Sequence, residues 1–468
     1  MDILLIDPPY KCLKDVGIDC GYVLGLTSVA AYLNAAGIHT AVLTGDLLVG
    51  LGPGNIMDLD VGLYARGQQH YEEALADDSH DVWIKISDII QRLQPKAVGL
   101  TYLTPTRNVV EKIARLIKNL DTDIQVIAGG HHATFCPQDV LKNTDFDFAV
   151  RGEGEIPLLK LTEAIMSGRS KWAEVPGIAY RTEAGDVICT PEAELIHDLD
   201  ALPFPARELV MDCDYTVYRS HYVLTTRGCP NRCAFCSDRR LWRGKVRRRS
   251  VANVVKELKV IKETYNPLFL DVSDGTFTFD SKYLTEFCER IIAEELGIMW
   301  RCTARYDTVT EDILRLMKKA NCFGMYFGLE SGSSRVLESV DKGISLDQIK
   351  RATDMVYDSG IISMASVMFG LPDEDQEDIR STLELMRNIK SDLFDINCYV
   401  PLPGTPLYDD MAEADRSGIN WSKASYKSLS SNFSKTIPSE QLKGYILEAY
   451  EIADSARERF KARLGGLV

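Results

Sequence analysis

Three cysteines within eight residues, Cys229, Cys233 and Cys236, are the strongest chemical signal in this 468-residue sequence. Their spacing, C-x3-C-x2-C, offers three thiolates from one loop. Structural zinc takes four ligands, usually as paired C-x-x-C units, and no second pair is present. A disulfide fits poorly with an odd number of thiols in a reducing compartment. The other nine cysteines (Cys12, Cys20, Cys136, Cys189, Cys213, Cys288, Cys302, Cys322 and Cys398) are scattered singly, as small buried hydrophobes are. A [4Fe–4S] cluster normally takes four thiolates. Three from one loop leave one iron without a protein sulfur and open to another ligand, which is a catalytic arrangement.

The loop has to be positioned by a scaffold, and the flanking sequence supplies one. Strand candidates are Tyr222–Thr225, Leu268–Val272, Met299–Thr303, Gly324–Leu329, Ser363–Phe369 and Asp395–Val400, with helical patterns between them. The cysteines follow the first. Six βα units are too few for an eight-unit barrel and suit a partial one, open on one side.

Upstream, the stretch to about residue 160 alternates strand and helix. Asp2–Asp7 reads as a strand stopped by Pro8-Pro9, and Gly25–Ala36 as a helix with Gly37 at its C-cap. Further strands are expected at His39–Leu43, Ala97–Thr101, Ile124–Ala128 and Phe146–Val150, with a helix over Val109–Leu120. Strands separated by single helices imply a parallel, doubly wound sheet, whose ligands bind beyond the carboxyl ends of the strands. Polar, Gly-rich segments follow those strands, so this domain is expected to hold a cofactor. The first loop has no G-x-G-x-x-G, which disfavours a nucleotide site. Residues 46–80, with Gly50, Gly52, Pro53 and Gly54, read as an insertion with weak helix, and Gly177–Thr190 as a hairpin. The expected division is a first α/β domain over 1–190, an extended linker over 191–214, a partial barrel over 215–410 and a small, mainly helical C-terminal domain over 411–468.

Composition narrows the class. Apolar residues make up 45% and charged residues 26%, the balance of a globular chain long enough for about three domains. The longest apolar runs are strand-sized, so no membrane span is expected. Met1-Asp2 runs directly into a strand pattern, so no secretion leader is expected either, and the chain reads as cytoplasmic. A net charge of −15 disfavours a general nucleic-acid binder. A basic run, Arg239, Arg240, Arg243, Lys245, Arg247, Arg248 and Arg249, stands just after the cysteines. It reads either as an anion site or as a solvated loop and strand edge facing acids.

The C-x3-C-x2-C motif, with Phe235 before the last cysteine, resembles that of the radical S-adenosylmethionine (SAM) superfamily. The resemblance implies Cys229, Cys233 and Cys236 as ligands of a [4Fe–4S] cluster whose fourth iron chelates SAM. It further implies SAM contacts from Phe235, Asp274, Arg305, Glu330 and Ser331, at the ends of successive barrel strands. Among these, Glu330-Ser331 would serve the ribose or amino-acid end and Arg305 the carboxylate. Gly275 stands where relatives often carry a second acid.

The pairing with an open α/β domain resembles the class that has an N-terminal, flavodoxin- or Rossmann-like cobalamin (B12)-binding domain. The segments that carry this are Asp7-Pro8-Pro9, Gly25-Leu26-Thr27-Ser28-Val29-Ala30-Ala31-Tyr32-Leu33, Gly99-Leu100-Thr101, Gly129-Gly130-His131-His132-Ala133-Thr134 and Arg151-Gly152-Glu153-Gly154-Glu155. Implied cobalamin contacts are Pro9, Tyr10, Thr101, Tyr102, Leu103, Thr104, Gly129, Gly130, His131, Arg151, Gly152 and Glu153. The Asp-x-His-x-x-Gly pattern of histidine-ligated cobalamin domains is absent. The resemblance therefore implies a cobalamin without histidine ligation, its lower face covered by Tyr102 to Thr106. The bland alternative is a sheet that carries no cofactor.

The function implied is C-methylation: a methyl group moves from SAM, via methylcobalamin, to an unactivated carbon, with the cofactors and substrate held away from water. Relatives methylate tetrapyrroles, lipids, antibiotic precursors and protein carbons, including a glutamine of methyl-coenzyme M reductase. A small molecule or a protein or peptide is thus the expected substrate, a low-potential donor of ferredoxin or flavodoxin type the partner, and a monomer the expected state. The alternatives are a non-methylating cyclase or ring-contraction enzyme of the same architecture, and a cluster- or cobalamin-based sensor that binds SAM without cleaving it.

Overall fold

A computed structural model of the chain describes residues 1–15, 17, 21–49, 61–168, 171–421, 424–427, 429 and 431–463. Its contacts divide it into two compact units, Met1–Asn55 with Arg66–Tyr218, and mainly Arg219–Val468.

In the first unit, strands β1 (Ile3–Asp7), β2 (Thr40–Thr44), β3 (Ala97–Thr101), β4 (Gln125–Gly129) and β5 (Phe148–Val150) are parallel. A hairpin of β6 (Ile178–Arg181) and β7 (Val187–Cys189) extends the sheet antiparallel, giving the order β2-β1-β3-β4-β5-β6-β7. The sheet is therefore mixed rather than wholly parallel, its last two strands running antiparallel after helix Glu155–Met166. Side chains alternate between two buried cores. Leu4 and Ile6 pack with helices Asp81–Leu93 and Arg107–Leu120, whereas Ile3 and Leu5 pack with helices Leu24–Ala35 and Glu155–Met166. Strand order reverses between β1 and β3, so the switch point lies where Pro8–Lys14 and Tyr102–Thr106 leave the sheet.

The segment 46–80 holds more regular structure than expected, a 16-residue helix Val61–Ala76, while Gly50, Gly52, Pro53 and Gly54 lie outside the described residues. Residues 191–214 are not a free linker. Val210 bridges to Val42 of β2, Met211 N donates to Val42 O (2.8 Å), and buried Arg207 donates from Nε to Tyr22 Oη (2.9 Å). The extended Pro-rich chain is thus laid on the β2 edge of the first unit.

In the second unit, β8 (Ser220–Val223) leads into a clasp of β9 (Thr226–Arg227) and β10 (Arg247–Arg248), which pair antiparallel. Five more strands follow: β11 (Phe269–Val272), β12 (Trp300–Ala304), β13 (Cys322–Glu330), β14 (Ile362–Phe369) and β15 (Leu393–Cys398). The order β15-β14-β13-β12-β11-β8 is all parallel, a six-stranded sheet with two edges. Along β13, Met325, Phe327 and Leu329 enter the core shared with the helices, so Tyr326, Gly328 and Glu330 stand on the opposite face. The same parity puts Arg301 and Thr303 of the third strand, Ser366 of the fifth, and Asp395 and Asn397 of the sixth on that inner face, and Arg305 follows directly on the third strand.

The C-terminal residues do not form a domain of their own. Helix Ser439–Arg463 buries Leu442, Ile446, Ala449, Tyr450 and Ala456 against β15 and helix Gln376–Asn388, and Arg463 pairs with buried Asp392 (2.7 Å). An open sheet edge exposes unpaired peptide groups and apolar flanks, and this amphipathic helix covers them.

Candidate functional site

The clasp between β9 and β10 closes the loop that carries the three cysteines. Gly228 enters it at φ 105°, and a Cβ there would collide with Lys245 O, so the tight closure requires glycine. At the middle of the motif, Ala234 N donates to Val340 O (2.8 Å) and Ala234 O accepts from Leu407 N (3.0 Å). The loop is thereby stitched to the segments after β13 and β15. Asn231 Nδ2 donates to Cys229 Sγ (3.2 Å), and Thr276 Oγ1 lies 3.6 Å from the same sulfur. A Cβ on Gly275 would stand 2.7 Å from Asp238 Oδ2 and 3.3 Å from Cys229 Cβ, so a side chain there would have to displace the Asp238 carboxylate.

The three thiols are half-buried. Burial, and then Asp238, push the Cys236 thiol up to about 12. Burial also raises that of Cys233, opposed by Lys342 and Arg305. A bound metal centre offsets that burial by stabilising the thiolate form. Among the described residues, no three His, Cys, Asp or Glu side chains converge as a single-ion site requires. A cube, whose ligands attach to separate irons, does not require it. The donor set therefore fits a [4Fe–4S] cluster.

Around the cysteines lies a ring of ionised groups. Glu330, at φ 63° and buried, accepts from Lys342 Nζ (2.7 Å), and Lys342 Nζ also stands 5.7 Å from the centre of the Phe235 ring. Gly328 makes room for that pair, since a Cβ there would collide with Glu330 Oε1. Arg305 donates twice to Asp307 (2.9 and 3.0 Å) and once to Lys342 O (2.8 Å). Lys342 was not evident from the sequence, because it is brought back by the short helix Ser334–Ser339 and the following turn; the Asp341-Lys342-Gly343 turn was the available signal. Phe235, Arg305 and Glu330 gather here with Lys342.

Asp274 and Ser331 have intramolecular partners. Buried Asp274 accepts from Thr225 N (2.7 Å), Thr226 N (3.1 Å) and Thr225 Oγ1, so its carboxylate anchors the approach to the cysteine loop. Ser331 Oγ, with no exposure, meets Thr382 Oγ1 (3.1 Å) and accepts from Ser333 N (3.1 Å). Both side chains are occupied inside the fold, because buried polar groups must be hydrogen-bonded.

In the first unit, the strand ends present backbone and open space. A Cβ on Gly129 or Gly152 would meet nothing within 4 Å, and neighbouring His131 is exposed. A flat macrocycle can approach such a side-chain-poor strip, so the residues fit a corrin. Leu103 is 36% exposed, and Thr101 and Arg151 are half-buried, Arg151 donating to Thr190 O (3.1 Å). Gly130, at φ 107°, packs close to Tyr102 O.

In the segment expected as the cover, Tyr102 to Thr106, most side chains turn inward. Tyr102 is fully buried, stacks on His132 with centroids 4.9 Å apart, and donates to Glu111 Oε1 (2.8 Å). Thr104 Oγ1 meets His132 Nδ1 (3.0 Å), and His132 Nε2 lies 3.4 Å from Asp139 Oδ2. These side chains, His132 included, are taken up by the domain interior, leaving Leu103 as the surface side chain between them. Pro9 is buried, Tyr10 donates its N–H to Asp46 (2.8 Å) and stacks edge-on against Tyr71, and Glu153 accepts from Ile196 N (2.9 Å).

Comparison with known proteins agrees with this division. The Radical SAM superfamily profile matches residues 223–386, and that of the B12 binding domain residues 16–162. An uncharacterized methyltransferase of Pyrococcus horikoshii is 30% identical over 400 residues, covering 81% of this chain and 85% of that protein. An anaerobic magnesium-protoporphyrin IX monomethyl ester cyclase of Rubrivivax gelatinosus is 31% identical over 339 residues, 70% of this chain and 60% of the cyclase. Among solved structures, the radical SAM methyltransferase TsrM of Kitasatospora setae aligns with a TM-score of 0.65 at 18% identity, over 87% of this chain and 75% of that one.

Proposed function

Because the chain belongs to the cobalamin-dependent radical SAM methyltransferase family, we propose that it moves a methyl group from SAM by way of cobalamin to an unactivated carbon. A [4Fe–4S] cluster, when bound, would supply the electron that cleaves SAM, and cobalamin would carry the methyl group. The observation that carries the reading is one chain combining a stitched three-thiol loop with a sheet whose strand ends are kept clear at Gly129 and Gly152. Cys229, Cys233 and Cys236 hold the cluster. Lys342, Glu330 and Arg305 form a charge-balanced frame beside it, suited to an amino-acid moiety that bears both charges.

The finer reading is methylation of a carbon within a protein, with a glutamine of methyl-coenzyme M reductase as the case to test first. Its support is the inner face of the barrel, where Asn397 Nδ2 donates to Ser366 Oγ (3.1 Å) and Asp395 Oδ2 (3.0 Å), and Tyr326 Oη donates to the same Asp395 oxygen (2.6 Å). Such donors and acceptors suit an amide-bearing substrate better than an apolar one. Likeness to the cyclase favours a second reading, a non-methylating transformation.

Anaerobic incubation with SAM, methylcobalamin, a low-potential reductant and candidate substrates separates them. Methylation yields S-adenosylhomocysteine together with 5′-deoxyadenosine, and a product heavier by one CH2. Turnover giving 5′-deoxyadenosine without S-adenosylhomocysteine overturns the methyltransferase reading, and SAM bound but never cleaved returns the protein to a sensor.

A further inference from the structure

The basic run after the cysteines divides in two. Its second half is tied into the fold: Arg247 is buried with its guanidinium 5.4 Å from the Trp242 ring, Arg248 pairs with Asp280, and Arg249 pairs with buried Glu257 (2.5 Å). Its first half is outside. Arg239, Arg243 and Lys245 are exposed, as is Arg232 between the cysteines, and Arg240 is 56% exposed even while paired with Asp409 (2.5 Å). Between Thr226 and Arg249 there are nine Lys or Arg residues and one acid, Asp238, in a chain of net charge −15. Of these, Arg232, Arg239, Arg240, Arg243 and Lys245 stand at the surface, where like charges on one short loop repel.

From this patch we infer that the outer surface of the cysteine loop docks a small, acidic, low-potential one-electron carrier protein. The inference rests on the functional reading above only in requiring a cluster that must be reduced. Three features select the occupant. The patch and the thiols share one clasped loop, so a partner seated on the cations is brought beside the metal centre. The thiols are half-buried, which keeps the path for an electron short. Elsewhere the chain is acidic enough to repel an acidic partner, so the field directs it to this face. In the transfer, one electron leaves an anionic flavin hydroquinone, which becomes the neutral semiquinone, and enters the oxidised cluster; no bond forms or breaks.

The test compares the reconstituted full chain with its Arg239→Gln/Arg243→Gln/Lys245→Gln variant under two reductants, flavodoxin hydroquinone and the neutral radical of 5-deazariboflavin. Cluster reduction is followed by stopped-flow absorbance, and flavodoxin affinity by titration. With flavodoxin at low salt, the variant's rate and affinity fall by about tenfold or more and lose most of their salt dependence. With deazariboflavin, the two proteins match. An equal loss with both reductants, or none with flavodoxin, overturns the inference. So does a variant that loses affinity for a 20-nucleotide single-stranded RNA while flavodoxin still reduces it normally. Because cluster reduction is read before any methyl transfer, failure of the docking idea and failure of the methyltransferase reading give separate results.

Discussion

Gly228 follows strand β9 of the barrel unit and Gly129 ends strand β4 of the first unit, and the two are glycine for opposite reasons. At Gly228 a side chain has nowhere to go, because the clasp brings Lys245 O against the position a Cβ would take. At Gly129 a Cβ would meet nothing within 4 Å. The first glycine serves packing and the second serves space. The same contrast runs through the surrounding side chains. The barrel's strand ends hold ionised groups in matched pairs, Lys342 with Glu330 and Arg305 with Asp307. The first sheet turns its polar groups inward, as Tyr102, Thr104 and His132 do, and offers peptide backbone outside. The first arrangement suits a small molecule with two charged ends, the second a large flat ring.

The contrast is most severely tested at the cysteines. Cys233→Ala is expected to abolish SAM cleavage and to lower bound iron, measured by metal analysis and 5′-deoxyadenosine release, while cobalamin binding to the first unit survives. Gly228→Ala comes next, with a loss of about 4 kcal/mol or more from strain and overlap, seen as a lower denaturant midpoint. Lys342→Met leaves Glu330 buried without its partner and costs about 3 kcal/mol. Adding Glu330→Gln recovers most of it, and a double-mutant cycle measures the coupling.

A pH-dependent effect sits beyond β14. Burial pushes Glu374 up to about 8, against the hydrogen bond from Gly370 N (2.7 Å). A carboxyl raised in the folded state binds more protons there than when unfolded. Stability contributed by its neutral form is full below about pH 4.5 and declines as pH rises to about 8, at most about 1.4 kcal/mol per pH unit. Glu374→Gln flattens that part of the stability profile measured by urea unfolding. Smallest in stability is Gly129→Ala, expected to change folding by less than about 0.5 kcal/mol yet to weaken cobalamin binding in a spectroscopic titration. Equal stability losses at Gly129 and Gly228 would erase the distinction between space and packing.

The barrel strands were legible because each is a short β-rich run bounded by loop residues, and the six fall within one or two residues of their expected places. The cysteine loop was legible because its ligands are local in sequence. What escaped was decided by distant partners. Lys342 needs a helix and a turn to come back to Glu330. Asp274 and Ser331 look like exposed loop groups until Thr225, Thr226 and Thr382 are seen to use them. Residues 191–214 carry the Pro content of a linker, yet Val210 finds the free edge beside Val42. The helix Ser439–Arg463 has a readable apolar stripe, but nothing in that stripe names β15 as its target.

The stitching of Ala234 to Val340 and Leu407, together with the β9–β10 clasp, has a consequence for how the protein withstands air. Small domains organised by a metal collapse when it is stripped out. Here the receptacle is framed by peptide hydrogen bonds and a closed ladder that owe nothing to iron. Oxygen can destroy the contents and leave the mould, so refilling becomes a matter of iron and sulfide supply rather than of the chain finding its shape again.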